Sequence, residues 1–293
     1  MSEVFRMFAI AFAFSLLGLS MYLSTRILRV VDFTCDASVS VGGCSYAAAI
    51  IYGINPIFAL IIAAMFGLCA GFITASLSSN LKFKTTVSSI LTFTMMQIFI
   101  QKAYLVGNFS INNNISSGIS IYSGFSLFVV TGILAVILCF LFYRVVNSEY
   151  GLAMRVYSDG AIVSEALGIN RSKMLAIGLS ISNMLAAISG GLVVQASRSF
   201  SPNMGIGSFV FGLGAILLIL KITPTFDVKR SVFMCAIIAF VYKIIIMILS
   251  RCVGSTKFGA LSEYEQIITG VVFILLAALT FSDKTRKKSI LHM

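Results

Sequence analysis

Charge is scarce in this sequence. Only 11% of its 293 residues are Asp, Glu, Lys or Arg, where a soluble domain typically carries about 25%. Too few polar side chains remain to cover a water-facing surface, which excludes a soluble globular protein. The single histidine, His292, sits in the tail. A zinc centre or a histidine-based triad therefore has no imidazole to use, and no metal site is expected. The six cysteines, Cys35, Cys44, Cys69, Cys139, Cys235 and Cys252, form no CxxC pair. Most fall in apolar runs and read as small buried hydrophobes. No G-x-x-x-x-G-K-[ST] phosphate loop occurs anywhere. The chain is therefore not itself an ATPase and is expected to hold no cofactor of its own. No polar stretch is long enough for a separate soluble domain, so residues 1–293 are read as one domain.

Apolar sequence is what the chain does have. It is 59% hydrophobic, with a mean hydropathy of +1.02. The apolar runs are continuous and about 17–25 residues long, the length of a helix crossing a bilayer. Membrane barrels show short alternating segments instead, and backbone groups in lipid must be satisfied within the segment. The fold class is an all-α polytopic integral membrane protein. Runs begin near Met7, Pro56, Thr86, Tyr122, Met174, Gly205, Ser231 and Ile267. A further short segment, 36–52, contains the pair Gly42–Gly43 and is expected to be a broken or re-entrant helix. The total is about nine transmembrane helices, counted to within about one span. Gly67 and Gly71 in the third run have the G-x-x-x-G spacing of close helix packing.

The net charge is +11. In a soluble chain this would suggest nucleic acid; here Lys and Arg fix orientation by collecting in cytoplasmic loops. With the tail, which carries Lys284, Arg286, Lys287 and Lys288, placed inside, the inner loops are 221–230, 145–173, 80–85 and 24–36. The outer ones are 251–265, 197–204, 107–120 with Asn112, Asn113 and Asn114, and the turn near Asn55. Most of the basic residues fall on the inner set. The N-terminus is expected outside and the C-terminus in the cytoplasm.

A few polar residues lie inside or beside the apolar runs. Asp32, Asp36, Ser38, Ser40, Gly42 and Gly43 either line a solute path through a discontinuous helix, or the aspartates cap a short helix that follows a loop. The two readings are compatible. Lys243 lies midway along its run, where a charge costs about 2.5–3.5 kcal/mol on insertion scales. It must snorkel, pair or face water. Gln97 and Gln101 share one helix face and are either interhelical glue or contacts for a polar solute. Gln195, at the outer end of its span, carries the same two readings.

The segment Gly151 to Gly191 is the main anomaly. Its first half is polar and contains Arg155, Ser158, Asp159, Ser164, Glu165, Gly168, Arg171 and Lys173, yet it keeps helical spacing. Asp159, Ile162, Val163, Ala166 and Leu167 give one largely apolar side. A basic amphipathic helix would lie on anionic lipid. No Lys or Arg occurs between Val156 and Asn170, so a protein groove on the cytoplasmic side suits this helix better than a lipid surface.

These residues carry a resemblance. The run G-L-A-M-R from Gly151 to Arg155, then Asp159, the A-L-G-I-N run from Ala166 to Asn170, and Lys173, precede the small-residue span L-S-I-S-N-M-L-A-A-I-S-G-G-L. Together they resemble the cytoplasmic loop and following helix of bacterial ABC importer permeases. The branch is the one containing ribose-type and branched-chain amino acid permeases. That loop reads approximately G-x-x-x-R-A-x-G-x-N-x-x-A-A-x-x-x-G-I. Gly151, Arg155, Gly168 and Ile169 match, Ala166 less closely, and the family's Gly-x-Asn is replaced by Ser158-Asp159-Gly160. The D-A-S-V-S-V-G run from Asp36 to Gly42 resembles a ribose-type D-L-S-V-G segment, which there belongs to a broken membrane helix. The M-G-I-G run from Met204 to Gly207, ahead of a Gly-rich span, is similar too. Over nearly the whole chain, the likeness is to a subgroup of permeases paired with a substrate-binding lipoprotein and an ATP-binding subunit. Some members of it are linked to tryptophan or other aromatic amino acid uptake. There D-L-T-x-D-G-S-F-T corresponds to the run from Val31 to Ser40.

The resemblance implies a permease subunit in a bacterial inner membrane, importing a small solute such as an amino acid. It implies three kinds of partner: an ABC ATP-binding subunit that binds the ATP, an extracytoplasmic solute-binding protein, and a second permease copy in a homodimer. It makes 146–173 a cytoplasmic coupling loop, with the coupling helix at about Ser158 to Leu167. Arg155, Ser158, Asp159, Ser164, Glu165 and Gly168 are then the ATPase-coupling candidates. Asp36, Ser38, Ser40, Gly42, Gln97, Gln195 and Lys243 are the solute-path candidates. The alternative is a gradient-driven secondary transporter. It is disfavoured because the centres of the apolar runs contain no Asp or Glu. A membrane enzyme is disfavoured because Asp32 and Asp36 are a lone pair with no supporting histidine.

Overall fold

The computed structural model describes residues 2–106, 125–222, 228–253 and 261–282. The expected outer loop with Asn112, Asn113 and Asn114, parts of the 221–230 and 251–265 loops, and the basic tail from Asp283 lie outside the described residues.

Helix α1 (Ser2–Met21) runs on into a π-helical turn, Tyr22–Ile27. It is followed by α2 (Thr34–Ile51), α3 (Pro56–Asn80), α4 (Thr85–Val106) and α5 (Phe125–Asn147). Two short helices, α6 (Glu149–Ser158) and α7 (Ala161–Ala166), lead into α8 (Arg171–Ser197). Then come α9 (Ser208–Ile222), α10 (Val228–Val253) and α11 (Leu261–Ser282). No strand occurs among the described residues.

Among the described residues, five segments are long and apolar enough to cross a bilayer: Glu3–Ile27, Pro56–Asn80, Phe125–Asn147, Arg171–Ser197 and Ser231–Cys252. Ser208–Lys221 and Glu265–Ala278 are shorter apolar helices. The chain is thus an all-helical, multi-pass membrane protein. Its outer helices show lipid the side chains that lipid accepts, such as Phe58 and Phe72 on α3, Phe99 on α4, Phe140 on α5 and Ile237 on α10, all exposed.

Local chemistry sets the ends of these helices. Asn55 accepts a hydrogen bond from the Ile57 amide at 3.0 Å, and Pro56 takes the first helical position of α3, where its missing N–H costs nothing. Asn170 caps α8 by accepting from the Lys173 amide at 3.1 Å. At the other end of α8, Arg6 of α1 donates to the carbonyls of Ala196 (3.0 Å) and Ser197 (2.9 Å). A cation there satisfies the orphan carbonyls and the negative end of the helix dipole.

Helix α8 is the centre of the bundle, packed against α1, α2 and α3. Small residues make this possible. A methyl added at Gly42 would overlap the Ala187 carbonyl, and one at Gly190 would overlap the Val39 carbonyl. Gly67 and Gly71 of α3 press against α8 at Asn183 and Leu179, so the G-x-x-x-G spacing marks a backbone-to-backbone seam.

The expected break in segment 36–52 is not there. Helix α2 runs without interruption through Gly42 and Gly43. The physical reason is close approach: Gly42 clears the α8 backbone, and Gly43 has the Met204 sulfur and Val194 where a side chain would be. A helix buried on nearly all sides, as α2 is, faces protein and not lipid. It can therefore carry Asp36 and several serines.

Candidate functional site

Three regions hold the residues singled out in the sequence. The first is the elbow between α5 and α8. Helix α6 ends at Ser158 with Asp159 as its C-cap, Gly160 takes φ +126°, and α7 begins at once. Ser164 is buried and donates to the carbonyls of Gly160 (2.7 Å) and Val156 (3.2 Å), which pins α7 back onto α6. Gly168, at φ +66°, closes α7 with its amide on the Glu165 carbonyl at 3.0 Å, and Ile169 N–H returns to the Ser164 carbonyl at 2.9 Å. Only a residue tolerant of the left-handed region fits that stop. Ser164 is turned inward, while Ile162 on α7 is 85% exposed and Leu167, the residue that ends it, is 62% exposed. Glu165 is exposed beside them.

The elbow is tied to the rest of the bundle. Helix α6 packs on α8 and on the π-helical turn. Arg171 at the start of α8 lies 4.9 Å from the ring centroid of Tyr157. Asp159 pairs with Arg29 at 3.6 Å, with both side chains more than half exposed, so this pair adds little stability. Ser158 donates to the Arg155 carbonyl at 2.6 Å, and Arg155 itself is half-buried.

The second region is the polar face of α2. Asp32 accepts from the Thr34 amide at 2.9 Å and so caps α2. It also accepts from the Asn183 side-chain Nδ2 of α8 at 2.7 Å, and Ser38 donates to Asn183 Oδ1 at 2.7 Å. Burial pushes the Asp32 carboxyl above the ordinary carboxylate range, and the hydrogen bonds from Thr34 and Asn183 oppose that shift. Asp36 does something the sequence did not suggest: it caps a different helix. Its two oxygens accept from the amides of Phe209 (2.6 Å) and Gly207 (3.2 Å), at the start of α9. Ser40, one turn on, accepts from the Gly205 amide at 3.0 Å. A carboxylate at the positive end of α9 satisfies orphan donors. Gly205 permits the approach, because a side chain there would overlap the Asp36 carbonyl.

The glutamines part company. Gln97 donates to the Pro202 carbonyl and to Asn203 Oδ1, both at 3.0 Å, and so holds α4 to the turn ahead of α9. Gln101 is exposed. Gln195 is buried, and its Oε1 has no hydrogen-bond partner among the described residues.

The third region is a cavity of about 650 Å³ bounded by α1, the 197–208 turn, α9, α10 and α11. Lys243 lines it, nearly fully buried. Its Nζ lies 2.7 Å from Glu265 Oε2 and 3.8 Å from the Phe14 ring centroid. Pairing is thus how this lysine meets the cost of its position. Of the solute-path candidates, Lys243 is on the cavity wall, whereas Asp36, Ser38, Ser40, Gly42 and Gln97 are engaged in contacts between helices.

Sequence reasoning misses Asn183, which links Asp32 to Ser38, and Glu265, which the sequence places at the end of the outer 251–265 loop. Each had a signal: Asn183 is the one amide inside the small-residue span, and Glu265 is the acidic residue nearest the start of the last apolar run. Among the described residues, no group of three or more His, Cys, Asp or Glu side chains is placed to hold a metal ion.

Comparison with known proteins agrees with this architecture. The profile of the family described as branched-chain amino acid transport system / permease component matches residues 4–277. A tyrosine transport system permease protein of Clostridioides difficile (strain R20291) is 27% identical, covering 99% of this chain and 95% of that protein. An uncharacterized protein of Rickettsia prowazekii (strain Madrid E) is also 27% identical, covering 90% of this chain and 93% of its own length. Two solved structures share the fold. One, an ABC transporter reported in an inward-facing conformation, aligns with a TM-score of 0.59 at 15% identity, covering 93% of this chain and 84% of that one. The other, PsaBC from Streptococcus pneumoniae in complex with Fab, aligns with a TM-score of 0.53 at 12% identity, covering 94% and 89%.

Proposed function

The chain belongs to the branched-chain amino acid transport system permease family, and we propose that it is the permease subunit of a bacterial ABC importer for a small solute, an amino acid. The carrying observation is the outward face of α7. Ile162 on α7 and Leu167 at its end stand exposed, while Ser164 fastens the helix to α6. An apolar knob on a polar elbow calls for a groove in a partner protein.

In this reading the whole chain is one permease domain, residues 146–173 form its coupling loop, and α7 docks on an ATP-binding subunit that holds the ATP. Ser164 and Gly168 shape the docking helix, Glu165 and Asp159 set its charge, and Arg155 and Ser158 belong to the supporting helix α6. ATP-driven closure of the ATPase pair moves α7, and α6 passes the movement to α8 and the π-helical turn. Energy enters only through the different affinities of the two membrane states for the closed ATPase. A solute-binding protein delivers the solute from outside, and two copies of the permease form the pathway. About nine spans, an external N-terminus and a cytoplasmic C-terminus in the inner membrane complete the proposal. The name of the Clostridioides relative supports an amino acid as solute. A gradient-driven carrier would need a carboxylate free to load an ion. Asp36 is occupied by the α9 amides and Glu265 by Lys243.

The test uses Glu165→Lys and Gly168→Trp. Both variants should reach the membrane and lose solute uptake, with weakened retention of the ATPase on purification. Normal uptake with normal ATPase retention in both would sink the coupling assignment.

A further inference from the structure

The cavity beside α10 and α11 has the size of a small-molecule site, and its chemistry is unusual for a membrane interior. Lys243 and Glu265 form an ion pair there, one from each helix, with the lysine side chain 6% exposed and the glutamate 22%. Desolvating both charges is costly, and an apolar pair of similar volume would hold two helices together at least as well. Such a pair inside a bilayer marks a functional position more often than a packing one. Phe14, Phe211, Met204, Met247 and Ile10 make the apolar and aromatic part of the wall; hydroxyl and amide groups such as Ser208, Asn203 and Thr269 make the polar part, and the remaining charge on it, Arg251, is paired with Glu3 at 3.3 Å.

The charges define what can enter. A lone anion drawn to Lys243 would meet the repulsion of Glu265, and a lone cation drawn to Glu265 would meet Lys243. A solute carrying one charge of each sign can insert between the two residues and leave neither without a partner. We propose that this cavity binds an amino acid as its zwitterion. The Lys243 ammonium receives the carboxylate, Glu265 receives the α-ammonium, and Phe14 and Phe211 flank an apolar or aromatic side chain. The proposal rests on the solute-permease reading and adds to it the place where this chain holds the solute and the residues that receive each of its charges. One ion pair becomes two, so α10 and α11 must separate as the solute enters. Loading is thereby tied to a movement of the last helices.

The full chain, purified with its ATP-binding subunit, is titrated calorimetrically with L-phenylalanine, L-tyrosine, L-leucine and L-methionine. Phenethylamine, which lacks the carboxylate, and 3-phenylpropionate, which lacks the amine, serve as half-ligands. At least one amino acid should bind saturably, and each half-ligand about tenfold or more weakly, the loss expected for one charged hydrogen-bonded contact. Glu265→Gln should reverse the order in favour of 3-phenylpropionate, and Lys243→Gln in favour of phenethylamine. A merely misfolded variant would lose all ligands alike and could not reverse the order. Failure of all four amino acids to bind the wild-type complex, or variants that keep the wild-type order, overturns the proposal. Retention of the ATP-binding subunit is scored in the same preparation. A wild-type chain that keeps it but binds no amino acid refutes the cavity alone, whereas one that never retains it refutes the permease reading.

Discussion

Asp36 shows how much of this molecule turns on single side chains. It sits in α2 but serves α9, taking two amides that would otherwise have no acceptor. Removing an N-terminal cap costs about 0.5–2 kcal/mol, and a hydrogen bond to a charged group about 1.5–3 kcal/mol. Asp36→Ala should therefore lower stability by about 2–3 kcal/mol, seen as a lower unfolding midpoint of the detergent-solubilised protein. Asp36→Asn keeps one acceptor oxygen and should lose less. An alanine variant as stable as the parent would show that the cap is dispensable. The sequence made Asp36 conspicuous, but the two possibilities it offered were a cap for its own helix and a solute contact. A cap across 171 residues of chain leaves no local pattern. Asp32 was the opposite case: its bond to the Thr34 amide two residues on is a local motif, and the sequence alone suggested it. Lys243 was legible as a residue in need of a partner. Glu265 was not legible as that partner, because the length of the last helix and not its composition brings the carboxylate inward.

At the scale of elements, composition and periodicity were enough to find most helices and to mark the Gly67–Gly71 seam. They mislead at Gly42–Gly43, where the pair suggests a break. Glycine has two uses, a bent backbone and a close approach, and only the neighbour tells them apart. Here the neighbour is α8, and α2 stays helical throughout. Two consequences differ between those uses. If Gly42 served as a hinge, a larger residue would stiffen α2. In this structure Gly42→Leu pushes its side chain into the Ala187 carbonyl and should destabilise the fold by about 1–3 kcal/mol or more, as overpacking does. The check is thermal unfolding of the purified variant beside Ser45→Leu, at a position of the same helix that is not fully buried. Equal midpoints for the two would contradict the α2–α8 seam. The elbow was legible in outline: an acidic, apolar-sided helix near 158–167. Its division into α6 and α7 at Gly160, and the inward anchor of Ser164, depend on backbone geometry that periodicity does not encode.

The whole molecule is a bundle with α8 at its centre, an apolar knob at one end of α8 and a charged cavity near the other. Arg6 and Asn170 cap the two ends of that helix, so it is held as a single rigid rod. A push on α7 reaches α8 through α6, and α8 lies against α2, whose Asp36 holds the start of α9 on the cavity wall. A continuous set of packed contacts therefore connects the proposed ATPase contact to the proposed solute site. The central claim is that α7 docks on an ATP-binding subunit in the cytoplasm. Its most direct test places a photo-crosslinking amino acid at Ile162 in intact cells and identifies the adduct by mass spectrometry, with Tyr52, at the expected outer turn, as the control position. The account predicts an adduct at Ile162 with a subunit that carries a G-x-x-x-x-G-K-[ST] loop, and none with that subunit at Tyr52. Adducts of Ile162 with lipid alone, or ATPase adducts at Tyr52 and not at Ile162, would contradict both the docking helix and the orientation.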